Sequence, residues 1–579
     1  MNIKSPSDFV SENARKHSDA VAIVYGATTI PYHRLSDAID RLAAGLYQLG
    51  LRRGDRIALM LPNVPHFIIS YYALLKLGVW IVPLNIMLKE TEVRYILEDS
   101  EAKGFIGWQN FSQTLSRAVA NLDRCHLHIF LGENLPPGSI DLIQLISTGT
   151  PVQIESVALD EIAVVYYTAG TTGHPKGAML SHENLLASVH GCRQTLLVGP
   201  EDRFLTVLPL FHSFGQVVGM HVPLASGAVV VLHSKLDTAA IVQSVQTDRV
   251  TIFPGVPGIF EQVLQLNPPK ETFSTLKYFI ASGAPISRRL YDEMMNRYGV
   301  QILAGYGLSE CSPLSAAQQP MGHMRHDSVG VPLPGLEVRI FDNTGKALAP
   351  GEVGEIAFSG NTVMRGYLNR SEATKDVLRD GWLMTGDVGY LDTDGCLYIV
   401  DRKKDLILKA GFNVYPREVE EFINAHPKVE ECAVIGVPDK YCGEEVKAYV
   451  VLRQGQHSNK DELIQYCRDK MAAYKCPKHI EFCGSLPRGA TGKVLKRVLR
   501  EKRPGGAMPP ASPPSHGSTP STPVVNLKAE ATNNQDIDKA VESNSQGDVK
   551  PLLQTAPNDQ QSQGSSLNAS PEERPLQRE

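Results

Sequence analysis

The hydrophobic pattern of the chain, up to about residue 400, alternates between helical spacing and short apolar runs. Helical spacing runs through SDAIDRLAAGLYQLGL (residues 36–51) and stops at Gly50. Strand-like runs are DRIALMLP, VVVLHS and VTIFPGVP. Helices that alternate with strands predict a layered α/β domain with largely parallel sheets.

A different pattern begins at VRIFDNTGKALAPGEVGEIAFSG (residues 338–360), where turn-forming residues separate short strands. It predicts a small antiparallel β-barrel. Beyond YIVDRKKDLI the elements shorten, with helices predicted at PREVEEFINAH and KDELIQYCRDKMAAYK and strands at ECAVIGVP and KAYVVLR. From about Arg503 the chain is rich in Pro, Ser, Gln, Asn and Gly, a composition that predicts disorder.

The predicted organisation is therefore of the α/β class. It has a large N-terminal domain (1–401) of layered α/β subdomains plus the β-barrel, a small mobile α+β domain (402–502) and a disordered tail (503–579).

One apolar run, FIISYYALLKLGVWIVPLNIML (residues 67–88), approaches the length of a membrane span. Lys76 lies near its middle, and Pro83 and Asn85 interrupt its second half. Because a charge in the bilayer centre is costly, the run predicts a buried helix followed by a buried strand.

Composition narrows the class of protein. The 579 residues exceed what one core accommodates, and the net charge of -5 gives no support for nucleic acid or an anionic membrane as the main partner. Nine cysteines without a C-x-x-C pair predict reduced thiols, and MNIKSPSDFVSENARKHSD has no secretory pattern. We therefore expect a cytoplasmic protein without a transmembrane segment; peripheral membrane contact and a homodimer stay open.

The most informative stretch is the loop YTAGTTGHPKGAMLSH (residues 167–182). Its glycines allow the backbone to approach an oxyanion, its threonines offer hydroxyls, and Lys176 adds a positive charge. It does not follow the P-loop pattern G-x-x-x-x-G-K-[ST]. Alone, it fits either a phosphate site or a turn between the strand IAVVYYT and the helix HENLLASV.

The loop resembles the signature T-[SG]-G-[ST]-T-G-x-P-K-G of the adenylate-forming enzymes, which include acyl-CoA synthetases, luciferases and nonribosomal peptide synthetase adenylation domains. Ala169 stands where serine is usual. Further similar motifs follow in the family's order over about residues 10–500: LPLFHSFG, SGAP, AGYGLSE, GWLMTGDVG, DRKKDLI and LPRGATGKVLKR. The sequence is most similar to bacterial medium- to long-chain fatty acid–CoA ligases, especially in GFNVYPREVEE and VIGVPDKYCGEEVKAYVV.

The resemblance implies the roles of individual residues. It implies catalytic roles for Lys176, His212, Glu310 and Lys493, and a Mg²⁺ site at Thr171 and Glu310. Tyr306 would stack on adenine, Asp387 would hold the ribose hydroxyls, and Lys404 would be the hinge of the C-terminal domain. The nucleotide-binding residues that it implies are Thr168, Ala169, Gly170, Thr171, Thr172, Gly173, Lys176, Gly177, Gly283, Ala284, Pro285, Gly305, Tyr306, Gly307, Ser309, Asp387, Arg402 and Lys404.

The implied reaction uses ATP, Mg²⁺ and coenzyme A in two steps. A carboxylic acid attacks ATP to give an acyl-adenylate and pyrophosphate, with Lys493 between the carboxylate and the α-phosphate. The C-terminal domain then turns, and CoA displaces AMP. The candidate acyl region (212–222, 279–285 and 304–315) is mostly small and apolar, which fits an aliphatic or aromatic acid, and its segment PLFHSFGQVVGMHVPL holds no acid to pair an amino group.

Several alternatives stay open or are disfavoured. An aryl-acid CoA ligase fits the same motifs, as does a fatty acyl-AMP ligase that delivers to an acyl carrier protein, although no obvious insertion of the kind such ligases carry is present. A luciferase-like oxygenase would end in S-K-L, and a P-loop enzyme would need a hydroxyl at Val494. No G-x-S-x-G supports a serine hydrolase, and CHLH and GHMRH lack further metal ligands at a recognisable spacing. A non-enzymatic scaffold would be expected to have lost Glu310, Asp387 or Lys493.

Overall fold

The structure is a computed structural model that describes residues 3–168, 175–320, 322, 325–409, 412–439, 442–489 and 494–501. Its strands are β1 Val21–Tyr25, β2 Thr28–Pro31, β3 Arg56–Met60, β4 Trp80–Pro83, β5 Gly104–Trp108, β6 Leu127–Leu131, β7 Ile140–Asp141, β8 Ile162–Thr168, β9 Lys176–Ser181, β10 Arg203–Thr206, β11 Val229–Leu232, β12 Ile252–Gly255, β13 Tyr278–Ala281, β14 Gln301–Tyr306, β15 Ala316–Ala317, β16 Val331–Pro332, β17 Leu336–Phe341, β18 Gly354–Gly360, β19 Gly366–Tyr367, β20 Leu378–Arg379, β21 Trp382–Leu391, β22 Leu397–Arg402, β23 Ile407–Lys409, β24 Phe412–Val414, β25 Val429–Asp439, β26 Gly443–Leu452 and β27 His479–Phe482. Its α-helices are α1 Pro6–Lys16, α2 Tyr32–Gln48, α3 Pro65–Leu77, α4 Glu90–Asp99, α5 Ser112–Ala118, α6 Leu142–Thr148, α7 His182–Leu196, α8 Ser213–Gln216, α9 Val222–Ser226, α10 Thr238–Thr247, α11 Pro257–Leu266, α12 Arg288–Tyr298, α13 Ser371–Val377, α14 Pro416–Asn424, α15 Lys460–Arg468 and α16 Lys496–Glu501.

Two large sheets carry the predicted α/β alternation. The described strands of the first lie in the order β16-β15-β14-β13-β12-β10-β11-β1-β2, and those of the second in the order β19-β9-β8-β4-β3-β5-β6-β7. The central pairs of both sheets are parallel, as predicted, whereas β15 and β2 in the first sheet and β9 and β19 in the second pair antiparallel. Parallel strands bring their carboxyl ends to one edge, where loops can form a site.

The long apolar run forms a helix and a strand, as predicted. Helix α3 begins with Pro65 in its first turn and ends at Gly78, whose φ of 67° is left-handed, and β4 follows directly. Both elements are largely buried, while Lys76 forms an ion pair with Asp40 of α2. Among the described helices, none combines the length and the apolar character that crossing a bilayer requires.

The predicted antiparallel unit is formed by β17, β18, β20, β21 and β22, with the described strands β17-β18-β21-β20 in this order and β22 on β21. The smaller C-terminal sheet has the order β24-β23-β26-β25, and β27 pairs parallel with β26. Helices α14 and α15 bury Val419, Ile423 and Leu463 in one core with apolar residues of this sheet. The mixed α/β class, with a large N-terminal part and a smaller C-terminal part, is confirmed.

Two local predictions differ from the structure. Helix α15 ends at Arg468, so the second half of KDELIQYCRDKMAAYK forms turns; Pro477 follows this stretch and disfavours continued helix. The phosphate-type loop does not lead directly into α7, because β9 returns antiparallel to β8 and the loop is the tip of a hairpin. The predicted domain boundaries stay predictions, and the predicted disordered tail lies outside the described residues from 502 onward.

Candidate active site

The predicted site residues lie where strand ends of several sheets meet. Thr168 ends β8, Tyr306 ends β14, and the SGAP segment follows β13, the parallel neighbour of β14. Register places Lys176 of β9 opposite Thr168, and Tyr367 of β19 opposite Ala178 of β9. The phosphate-type hairpin and the loop after β14 belong to separate sheets, and a hydrogen bond between Thr168 and Glu310 joins them.

Glu310 is the meeting point of these two sheets. Its Oε1 accepts hydrogen bonds from Thr168 Oγ1 and from the Tyr367 hydroxyl, both at 2.9 Å. Lys176 Nζ lies 5.3 Å from the centroid of the Tyr367 ring. Burial first, and then the Glu310 carboxylate, raise the pKa of Tyr367, so that its hydroxyl stays protonated and donates. A carboxylate, two hydroxyls and an ammonium group thus lie close together where the two sheets meet.

Tyr306 and Asp387 connect β14 to the antiparallel unit. The Tyr306 hydroxyl donates to Asp387 Oδ2 at 2.6 Å, and Arg402 Nε lies 3.2 Å from Asp387 Oδ1. Asp387 and Arg402 are cross-strand partners on β21 and β22, which explains their ion pair. Burial and the Asp387 carboxylate raise the pKa of Tyr306 well above its ordinary value, so this phenol is a neutral donor.

His212 and Ser309 lie on either side of Ser213. The exposed His212 caps α8, and its Nδ1 accepts from the backbone N–H of Phe214 at 3.3 Å. The hydroxyls of Ser213 and Ser309 lie 2.9 Å apart. The next segment, Ser213 to Ser226, is buried and includes a π-helical turn, a feature that often marks functional sites.

Two glycines have clear structural requirements. A Cβ at Gly307 would lie 1.8 Å from the carbonyl oxygen of Pro313, so the turn after β14 excludes any side chain there. A Cβ at Gly177 would lie 2.7 Å from Val165 Cγ1, so this glycine is needed for strand packing whatever else it contacts. Gly305 lies in β14, whereas Gly283, Ala284 and Pro285 are exposed after β13, and Gly283 has a left-handed φ of 82°.

The phosphate-type hairpin is anchored at its base by a network that the sequence did not suggest. The Tyr95 hydroxyl donates to the Pro175 carbonyl at 3.0 Å, and Arg370 contacts the same hydroxyl at 3.3 Å. Arg370 also pairs with Asp99 at 2.7 Å, and the Tyr167 hydroxyl donates to Asp99 at 2.8 Å. Both ends of the hairpin loop are therefore held to α4.

Lys404 lies exposed in a single 3₁₀ turn, Lys403–Asp405, between β22 and β23. The next residue, Asp405, pairs with Arg500 of α16 at 2.6 Å, and Lys496 of α16 pairs with Glu420 of α14 at 2.8 Å. Helix α16 is thus tied both to the turn between β22 and β23 and to α14.

Several predicted site residues lie outside the described residues: Ala169, Gly170, Thr171, Thr172, Gly173 and Lys493. Among the others, the structure brings Thr168, Lys176 and Glu310 together around Tyr367, and Tyr306, Asp387 and Arg402 together. Sequence reasoning missed Tyr367, Ser213 and the Asp99–Arg370 pair. A tyrosine in the turn-rich stretch MRGYLNR carries no chemical pattern by itself, and only the pairing of β19 with β9 reveals its position.

This arrangement has the groups that phosphate chemistry needs. Lysine and hydroxyls can neutralise phosphate oxygens, a carboxylate can bind a hard cation, and Asp387 with Arg402 offers both an acceptor and a donor for a polar ligand. The groups converge from separate sheets, so that the fold holds them in place before a ligand arrives.

Comparison with known proteins agrees with this geometry. The family model for the AMP-binding enzyme matches residues 10–368, and the model for the AMP-binding enzyme C-terminal domain matches residues 418–493. A long-chain-fatty-acid–CoA ligase of Bacillus subtilis is 36% identical over 86% of this chain and 94% of its own length. A feruloyl-CoA synthase of Amycolatopsis is 37% identical over 84% of this chain and 97% of its own.

A solved structure shows the same fold. The o-succinylbenzoate coenzyme A synthetase of Bacillus subtilis, in complex with ATP and magnesium ion, superposes with a TM-score of 0.75 at 30% identity, covering 85% of this chain and 98% of its own. ATP, Mg²⁺ and coenzyme A are the components with which adenylate-forming CoA ligases work. The chain therefore belongs to the family of AMP-binding, adenylate-forming enzymes, in which it groups with the AMP-forming acid–CoA ligases.

Proposed function

We propose that this enzyme activates a medium- or long-chain fatty acid with ATP to the acyl-adenylate and then transfers the acyl group to coenzyme A, releasing AMP. The adenylation step is supported by two side-chain contacts that converge on the loop after β14. Glu310 in this loop bonds to Thr168 of the phosphate-type hairpin, and Tyr306 just before it bonds to Asp387. The loop after β14 thus lies between Thr168, which we assign to the phosphates, and Asp387, which we assign to the nucleoside.

The predicted site residues each have a chemical task in this proposal. Lys176 and the hydroxyl of Thr168 neutralise oxygens of the departing pyrophosphate, and Ser309 donates to the α-phosphate. Tyr306 packs against adenine, while Asp387, oriented by Arg402, accepts from the ribose hydroxyls. Lys493 bridges the attacking carboxylate and the α-phosphate, so that two negative groups can approach each other.

The residues around Glu310 also fit Mg²⁺. The ion prefers oxygen ligands from one or two carboxylates together with phosphates, and Glu310 offers a carboxylate beside the Thr168 hydroxyl. When bound, it supplies charge neutralisation at the phosphate oxygens. Thr171 and Glu310 are the residues that we assign to it.

The candidate acyl region supports an uncharged, apolar acid. Two of its buried polar side chains bond to tyrosines: Gln216 accepts from Tyr166, and His221 Nδ1 lies 2.8 Å from the Tyr72 hydroxyl. Burial lowers the pKa of His221 to about 3, so the ring is neutral at physiological pH. The intervening Val217 and Val218 are buried. The described segment 209–224 holds no acidic side chain that could pair with an amino acid's ammonium.

A second candidate is an aryl acid, favoured by the 37% identity to a feruloyl-CoA synthase. The 36% identity to a long-chain-fatty-acid–CoA ligase favours an aliphatic one, and its alignment covers slightly more of this chain. An acyl carrier protein is the alternative acceptor to coenzyme A. The exposed Lys404 between β22 and β23 suits the domain rotation that we assign to CoA transfer.

Pyrophosphate release decides among these substrates. We would measure it over saturated acids from acetate to palmitate and over hydroxycinnamic and benzoic acids, with and without CoA. Medium or long saturated acids should give the highest kcat/KM, and CoA should convert a single turnover into multiple turnovers. Preference for aromatic acids would overturn the fatty-acid proposal, and turnover only with a phosphopantetheinylated carrier protein would overturn the CoA proposal.

A further inference from the structure

Tyr367 contacts both Glu310 and Lys176, the two charged residues that we assign to the phosphates and their metal ion. Its hydroxyl donates to Glu310 Oε1 at 2.9 Å, and its ring centroid lies 5.3 Å from Lys176 Nζ. The second donor to the same oxygen is Thr168 Oγ1, and no donor from the described residues reaches Oε2. Among the described residues, the carboxylate is therefore held through one oxygen only.

The backbone around Tyr367 strengthens this arrangement. The N–H of Met364 donates to the Glu310 carbonyl at 2.9 Å, and the N–H of Leu368 donates to the Gly177 carbonyl at 2.8 Å. The short β19 strand therefore connects the loop after β14 to the hairpin that carries Lys176. A displacement of Tyr367 would move both groups together.

The phenol is suited to holding a carboxylate in a fixed rotamer. It is half-buried and makes a charge-assisted hydrogen bond to Glu310. Its ring also lies close to a lysine whose flexible stem would otherwise sample many rotamers. Packing alone does not require this hydroxyl, because phenylalanine fills nearly the same volume.

We propose that Tyr367 is a positioning residue that fixes Glu310 through Oε1, leaves Oε2 for Mg²⁺, and keeps Lys176 beside the same phosphates. This inference rests on the proposed function, because it assigns the metal to Glu310. It adds a specific requirement: the enzyme's preference for metal-loaded over metal-free ATP depends on the Tyr367 hydroxyl.

The test compares Tyr367→Phe with wild type and with Tyr47→Phe. Tyr47 is a matched control, since its exposed ring lies 3.9 Å from the Arg52 guanidinium, far from Glu310 in sequence and on a different element. Binding of a non-hydrolysable ATP analogue is measured by calorimetry without acid or CoA, once with Mg²⁺ and once with EDTA. Thermal unfolding checks that each variant is folded.

Tyr367→Phe should weaken Mg²⁺-dependent binding about tenfold, the usual size of such an effect on metal affinity, and leave binding in EDTA unchanged. Tyr47→Phe should match wild type in both conditions. Wild-type metal dependence in Tyr367→Phe, or equal loss with and without Mg²⁺, would overturn the proposal. If wild type itself binds the analogue without any metal dependence, the assignment of Glu310 fails instead, which separates the two failures.

Discussion

Asp401 caps a helix from the opposite side of the predicted hinge. Its Oδ2 accepts from the backbone N–H of Arg417 at 2.8 Å, at the start of α14, where the preceding Tyr415 makes no side-chain cap. Arg417 Nη1 in turn donates to the Ile399 carbonyl at 2.8 Å. Residues on either side of Lys404 therefore share hydrogen bonds that a rotation about this position would have to break.

Loss of this cap should destabilise the attachment of α14. Asp401→Ala is expected to lower the free energy of unfolding by about 1 kcal/mol, as for other helix caps. Asp401→Asn keeps an acceptor oxygen and should cost much less. Urea titrations followed by circular dichroism measure both, and equal stability of the alanine variant and wild type would contradict the cap.

Lys493→Ala tests the first half-reaction. It should abolish fatty-acid-dependent ATP–pyrophosphate exchange, because the lysine is assigned to the approach of carboxylate and α-phosphate. It should largely spare thioester formation from synthetic acyl-AMP and CoA. Arg497→Ala, an exposed residue of the adjacent helix, is the control. Equal losses in both assays would refute two separate conformations.

Lys404→Pro should produce the opposite pattern. Proline fixes φ and removes the N–H, which stiffens the single turn between β22 and β23. Thioester formation from acyl-AMP should fall at least about tenfold while pyrophosphate exchange persists, since only the second step needs the rotation. Lys404→Ala keeps backbone freedom, so a loss that it shares with the proline variant reports the missing ammonium group and not the hinge. Retained thioester formation in the proline variant would count against the hinge.

The sequence predicted most elements because their patterns are local. Apolar spacing identified α2 and α3, and the alternation of helices and strands correctly predicted parallel sheets. Charged and glycine-rich motifs placed Glu310, Asp387 and Lys176 in the predicted site, and the structure brings each of them into contact with another site residue, while their roles stay predictions. Tyr367 and Asp401 were missed because their contacts join residues that are distant in sequence, which no local spacing encodes.

Buried histidines predict a pH dependence of stability. His182 is fully buried, neither ring nitrogen has a partner among the described residues, and burial lowers its pKa to about 4. The unfolded chain takes up this proton below about pH 6.5, whereas the folded protein does so only near pH 4. Stability is therefore full above pH 6.5 and falls as the pH drops towards 4.

The buried His182 should therefore lower the free energy of unfolding by about 2 kcal/mol as the pH falls from 8 to 5. His182→Gln should reduce the pH dependence of the unfolding free energy by that amount relative to wild type. Chemical denaturation at pH 8, 7, 6 and 5 gives the values. An unchanged slope in His182→Gln would show that the buried ring does not govern acid destabilisation.

A chain that ends at Lys502 should keep full activity, because α16 remains intact. Leu499 of this helix is buried, its carbonyl accepts from the Tyr449 hydroxyl at 3.2 Å, and Arg500 pairs with Asp405. A chain that ends at Leu495 lacks α16, opens the apolar cluster around Ile435 and Leu486, and should lose at least about 2 kcal/mol of stability. Pyrophosphate release and thermal unfolding of both truncations measure the difference. Loss of activity in the chain ending at Lys502 would show that residues beyond α16 contribute to the enzyme.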